Sequence, residues 1–167
     1  MCLFDIVGGF YSIRESLEKT VGPAAGTLLY HAGIKGGKRF VSSASRIGMI
    51  RKGPLGLQDC VDVFSQAGFG NFNIVDANWS ECHVLIECDS PMPFEAFAYR
   101  ENNASTKFPV CDYTRGVLAG FCQQLVDRED ILCIETECKA SNSLQCVFQI
   151  GAQRKMTAIA MGISARL

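Results

Sequence analysis

Four residues in the last third of the chain, Cys111, Glu135, Cys138 and Cys146, are potential metal ligands. Cys138 and Cys146 bracket a polar stretch, residues 139–145, between two β-like runs, Ile131 to Glu137 and Val147 to Ile150. A hairpin there would bring the two sulfurs together, because facing residues on paired strands lie ~4.5–5.5 Å apart. Glu135 lies on the first of these strands. Cys111 opens a helix-like segment that need only set its start against the hairpin. Three thiolates and a carboxylate suit tetrahedral zinc. Strand alternation sends Glu135 and Cys138 to opposite faces, so one of them must sit at a bulge or in the turn to reach the same ion. On spacing alone, ordinary buried cysteines acting as small hydrophobes are the simpler reading.

The run Cys111-Asp112-Tyr113-Thr114-Arg115-Gly116-Val117-Leu118-Ala119-Gly120-Phe121 is followed by Glu135-Thr136-Glu137-Cys138 and Cys146-Val147-Phe148-Gln149-Ile150. Together they resemble the signature of vinyl-4-reductase-like domains, which are similar in fold to the TRAPP subunits of vesicle-tethering complexes. The matching positions are Gly116, Gly120, Glu135, Cys138, Cys146 and Phe148. The resemblance implies an α+β fold, a four-stranded antiparallel sheet with helices packed on it, and a small-molecule-binding role. It also implies a structural zinc on Cys111, Glu135, Cys138 and Cys146. Two features depart from the family pattern: Ser141-Asn142-Ser143 replaces a Gly-Asp-like turn, and the stretch from Leu125 to Ile131 is about a residue longer than in the aromatic-sensing members. Phenol sensors of this family carry a tyrosine two residues before the motif Glu. Here that position is Cys133, which implies a more apolar ligand.

A chain of 167 residues is most simply one domain. Its formal charge of −1 gives no long-range pull toward nucleic acid or anionic lipid. Nine cysteines are odd in number, the apolar start lacks a basic leader, and no apolar run approaches the ~20 residues of a membrane helix. A reducing cytoplasm is the expected compartment, where clustered cysteines serve metal or redox roles.

Residues 1–70 read as mainly helical and 71–151 as strands plus the motif helix. Ile13, Leu17, Thr20 and Val21 recur at helical spacing. Gly22-Pro23 breaks and restarts the pattern, and Gly36-Gly37 is expected to interrupt it again. Leu55 to Gly68 gives a third helix. Phe72 to Val75 and His83 to Cys88 read as strands about a turn at Asn78-Trp79-Ser80. Cys111 to Val126 is the clearest helix, with Tyr113, Val117, Gly120, Phe121 and Leu125 on its apolar face and Gly116 and Gly120 set for close helix–sheet packing. Residues 152–167 form a helical tail to the 1–151 domain.

Gly37-Lys38 is not a phosphate-binding loop: Arg39 follows the lysine, and Ala32 takes the first glycine's place. The two histidines, His31 and His83, give no cysteine–histidine pair. These residues point to binding rather than catalysis. The expected function is a sensor or carrier domain for a small hydrophobic or aromatic molecule, with Trp79, Phe97 and Phe121 as ligand contacts, a homodimeric state and an effector partner. The rivals are a cysteine redox switch, an accessory or carrier protein for a tetrapyrrole, and a TRAPP-like scaffold.

Overall fold

The computed structural model describes residues 5–102, 104 and 106–164, with side chains described up to residue 162. Expectations for residues 1–4, 103, 105 and 165–167 lie outside the described residues. Among the described residues six α-helices accompany a four-stranded sheet. In chain order they are α1 (Tyr11–Val21), α2 (Ala24–Arg46), α3 (Gly56–Gln66), β1 (Phe72–Asn78), β2 (His83–Cys88), α4 (Phe94–Glu101), α5 (Asp112–Val126), β3 (Ile131–Glu137), β4 (Cys146–Ala152) and α6 (Gln153–Ser164). The sheet is antiparallel throughout, in the order β1-β2-β4-β3. Each hairpin joins consecutive strands. The second hairpin lays β4 against β2, so β4 is interior and its backbone is paired on both edges.

Burial along β2 and β3 alternates, placing Val84, Ile86 and Cys88 with Ile131, Cys133 and Glu135 on the helix-covered face. Helix α5 lies across that face and α2 lies on α5. Eleven of the fifteen α5 residues are therefore buried, well beyond the single stripe that periodicity predicts. On the opposite face α6 packs against β3 and β4, where its fully buried Met156 fills the space beside Gly151.

Three expectations are corrected. Helix α2 runs unbroken through Gly36 and Gly37 to Arg46. Glycine weakens a helix by about 1 kcal/mol, but here it lets two backbones touch. A Cβ on Gly33 would fall 2.3 Å from the Tyr113 carbonyl oxygen, and one on Gly37 2.4 Å from that of Val117. Second, Gly116 and Gly120 serve helix–helix rather than helix–sheet contact: a Cβ on either would fall 2.2 Å from the Tyr30 carbonyl oxygen and 2.4 Å from that of Ile34, respectively. Third, α1 turns Arg14 inward and leaves Ile13 and Val21 exposed.

The glycine seam yields a prediction. Gly116→Ala should lower stability by about 1–3 kcal/mol, because rigid backbone faces the added methyl. Gly162→Ala, with nothing within 4 Å, should be neutral or stabilising by up to about 1 kcal/mol. Denaturant titration of the two variants measures the contrast; equal midpoints would remove the seam from the account.

No helix among the described residues is long and apolar enough to cross a membrane.

Candidate metal centre and apolar cavity

The four sequence-chosen ligands converge. The donor atoms of Cys111, Glu135, Cys138 and Cys146 all lie within 4.8 Å of one another, and all four residues are buried. Both ways of escaping strand alternation are used. The β3–β4 register shifts between Glu135 and Glu137, which makes Thr136 an extra residue, and Cys138 lies beyond the strand at the entry to the short 3-10 turn Lys139–Ser141. Cys146 opens β4 beside Cys88 of β2. Cys111 is the residue immediately before the first turn of α5.

Backbone donors hold the cluster in shape. The Cys111 N–H donates to Glu135 Oε2 at 2.9 Å, and the Lys139 N–H to Cys146 Sγ at 3.3 Å. Glu135 Oε1 is buried with no hydrogen-bond partner among the described residues, an arrangement that is costly unless something else meets the oxygen. The Cys111 and Cys138 sulfurs lie 4.0 Å apart. Sulfurs bound to one tetrahedral zinc at ~2.3 Å stand about 3.8 Å apart, whereas a disulfide needs ~2.05 Å. All cysteines among the described residues are free thiols.

Burial pushes the Cys111 thiol and the Glu135 carboxyl well above their ordinary values. Hydrogen bonds from the Cys111 and Cys146 thiols pull Cys138 down. Cys146 rises too: the contact with Cys111 lowers it, but its bond to Cys138 and burial outweigh that. The cluster thus favours negative charge on Cys138 over its three neighbours, a charge that a cation could meet. Donor chemistry, spacing and the orphaned oxygen all fit a metal ion. Arg115 does not face the cluster: it pairs with Asp112 at 2.7 Å and lies over the Tyr30 ring.

A second feature shares the same helix. A cavity of about 170 Å³ opens between α2, α3 and α5, lined chiefly by Phe40, Val63, Phe64, Phe69, Tyr113, Val117 and Phe121, with Gly36 and Gly37 as part of its floor. The Phe64 ring meets Phe69, Phe72 and Phe121 with centroids 4.5, 5.1 and 5.7 Å away. Of the three aromatic residues expected to contact a ligand, Phe121 lines this cavity, and Trp79 and Phe97 lie outside it. Trp79 lies half-buried in the β1–β2 connection, and Phe97 is 39% exposed on α4. Sequence reading missed Phe40 and Phe64. The available signal was Gly36-Gly37, side-chain-free positions four and three residues before Phe40 on the same helix.

The start of α5 is held by a buried polar group that sequence reading also missed. Glu95 of α4, fully buried, accepts hydrogen bonds from the Tyr113 and Thr114 N–H groups at 2.9 and 2.7 Å, so it caps α5 from another element. Burial pushes its carboxyl up to about 7 against those donors and Arg14. Arg14 donates to Tyr99 Oη at 2.8 Å, to the Val110 carbonyl at 2.5 Å and to Asp112 at 2.7 Å. Its signal was a lone arginine on a helix face between apolar residues.

No family model matches the sequence, and no curated protein does. Solved structures do resemble it. The phenol-responsive sensory domain of the transcription activator PoxR, solved with phenol, has a TM-score of 0.77 and 20% identity, covering 91% of this chain and 76% of that one. A vinyl-4-reductase family protein from Methanocaldococcus jannaschii has a TM-score of 0.57 and 18% identity, over 86% of this chain and 76% of that one. A trafficking protein particle complex subunit 3 from Naegleria fowleri, covalently bound to palmitic acid, has a TM-score of 0.58 and 17% identity, over 86% and 90%. With six helices and a four-stranded antiparallel sheet in matching arrangement, the chain has the vinyl-4-reductase-like, TRAPP-like fold.

Proposed function

We propose that this chain is a sensor or carrier domain that takes a small apolar or aromatic molecule into the α2–α3–α5 cavity and holds a structural zinc on Cys111, Glu135, Cys138 and Cys146. One observation carries the reading: α5 belongs to both sites. Its Tyr113, Val117 and Phe121 line the cavity, and Cys111 directly precedes its first turn. A zinc with four protein ligands has no position left to activate water, so its contribution is structural. A ligand that prefers one packing of α5 shifts the population toward it, and an effector reads the shift.

The cavity walls favour an apolar guest. Their side chains carry one polar group, the Tyr113 hydroxyl. A cavity of about 150 Å³ lined by apolar side chains suffices for a benzene ring. The PoxR domain was solved with phenol; here the interior favours toluene over phenol.

Calorimetric titration with toluene and phenol tests this. Toluene should bind saturably and more tightly than phenol. Val63→Trp, which fills the cavity from its half-buried edge, should weaken toluene by about tenfold or more and leave the zinc content unchanged. Absence of saturable toluene binding, or a Val63→Trp variant that binds as the parent does, would remove the cavity from the function. Native mass spectrometry should find one zinc per chain and two chains per particle.

A further inference from the structure

The near-zero net charge conceals a segregated one. Residues 19–58 hold seven of the chain's 16 cations and none of its 17 acids. The structure puts much of this charge on one surface. Lys35, Arg39 and Arg46 recur at helical spacing on α2, and all three are exposed, as is Ser42 between them. From Lys35 to Arg46 the stripe runs about 16 Å along the helix.

The stripe ends at a tip of unusual composition. Beyond α2 the chain makes a connection, residues 47–55, whose Ile47, Met49 and Leu55 are 74%, 53% and 69% exposed. Lys52 is exposed among them. The tip is not loose. Ile50 is buried, Gly48 and Gly53 take left-handed conformations, and Arg51 binds Asp59 through its backbone N–H and its guanidinium. The core thus anchors a loop that presents three aliphatic side chains to solvent. Acids near this surface are already engaged: Glu129 with Lys38, Asp59 with Arg51, and Asp62 with the Gln58 amide.

We infer that the α2 face and the 47–55 tip form a docking surface for an anionic lipid membrane. The cations would lie over the headgroups while Ile47, Met49 and Leu55 enter the boundary with the acyl chains. The two halves of the surface need each other. Cations alone suit any polyanion, but adjoining exposed aliphatic groups gain nothing from phosphates in water and do gain from an acyl layer. A nucleic acid would use the stripe and leave the tip idle. This surface is separate from the cavity and the cysteine cluster, so it stands independently of the function proposed above.

Co-sedimentation of the full chain with vesicles of phosphatidylcholine, with and without phosphatidylserine, tests the inference. Binding should require phosphatidylserine and weaken as salt rises. Arg39→Glu with Arg46→Glu should reduce partitioning by about tenfold or more. A triple change of Ile47, Met49 and Leu55 to serine should reduce it comparably at unchanged charge. All five positions are exposed, so melting curves should match the parent's. Met49→Trp in the otherwise native chain gives a second readout: its emission should shift to the blue with phosphatidylserine vesicles and stay put with phosphatidylcholine alone. The inference is overturned if phosphatidylserine vesicles do not bind, or if binding ignores the serine triple. It is also overturned if duplex DNA binds more tightly than vesicles and equally well to parent and serine triple, which would mark the stripe as a nucleic-acid surface.

Discussion

Cys138→Ser should yield a chain that purifies without stoichiometric zinc and melts well below its parent. Cys138 is the donor around which the cluster is arranged. The Cys111 sulfur is 4.0 Å from its own, and hydrogen bonds from Cys111 and Cys146 hold its thiol below the usual range. Structural zinc supplies about 10–16 kcal/mol to peptides that cannot fold without it. This chain has a core besides, so the loss should be smaller, on the order of 3–5 kcal/mol. At roughly 2–4 °C per kcal/mol for chains of this size, the midpoint should fall by about 10 °C or more. Elemental analysis and calorimetry read the two quantities. A parent free of zinc after growth with the metal, or a variant matching the parent in both, would end the assignment.

Two further outcomes belong to the same site. A chelator should bring the parent's melting curve close to that of Cys138→Ser, with little effect on the variant. The pH dependence has a definite sign. Cys111, Cys146 and Glu135 are raised above their ordinary values and must give up protons to bind the ion. Apparent affinity should therefore rise with pH and fall on acidification. Zinc retention measured across a pH series checks the direction.

Arg14→Leu should cost about 3–5 kcal/mol, the penalty for leaving buried charge unpaired. Arg14 is 5% exposed and Glu95 0%. Burial alone would lower the guanidinium's pKa, but Asp112 and Glu95 outweigh it and drive the value up. With the arginine gone, Glu95 and Asp112 face a leucine, and the Val110 carbonyl keeps only the Asp112 N–H as a donor. Arg14→Lys should recover only part of the loss, since one ammonium cannot span acceptors that the forked guanidinium reaches from Nε, Nη1 and Nη2. Adding Glu95→Gln to Arg14→Leu should restore stability in part by removing one stranded charge. Chemical unfolding of the parent, Arg14→Leu, Glu95→Gln and the double variant measures this; additive losses would show that Arg14 and Glu95 act separately. Because Val110 and Asp112 flank Cys111, Arg14→Leu should also weaken zinc retention without changing any ligand.

The sequence by itself marked most of the elements and named the four residues that could hold a metal ion. Periodicity marked α5, β2 and the closing hairpin, since a period of two or 3.6 is a local property that each segment carries alone. Cys138 and Cys146 were legible because a hairpin is the shortest route between adjacent strands. The need for a bulge or turn followed from strand geometry before any coordinates.

Only the tertiary structure decided the rest, because the deciding partners are distant in the chain. Gly36-Gly37 reads locally as a helix break; the α5 backbone against Gly33 and Gly37 makes that stretch a continuous helix, and no window on α2 contains α5. Arg14 reads as a solvated charge until α4 and α5 bring Glu95 and Asp112, 81 and 98 residues away, to its guanidinium. The cavity is likewise a property of three helices rather than of one. It took Phe121 from the aromatic residues the sequence offered and left Trp79 and Phe97 outside, because which aromatic rings border a gap depends on how the helices cross, a quantity that no single segment encodes.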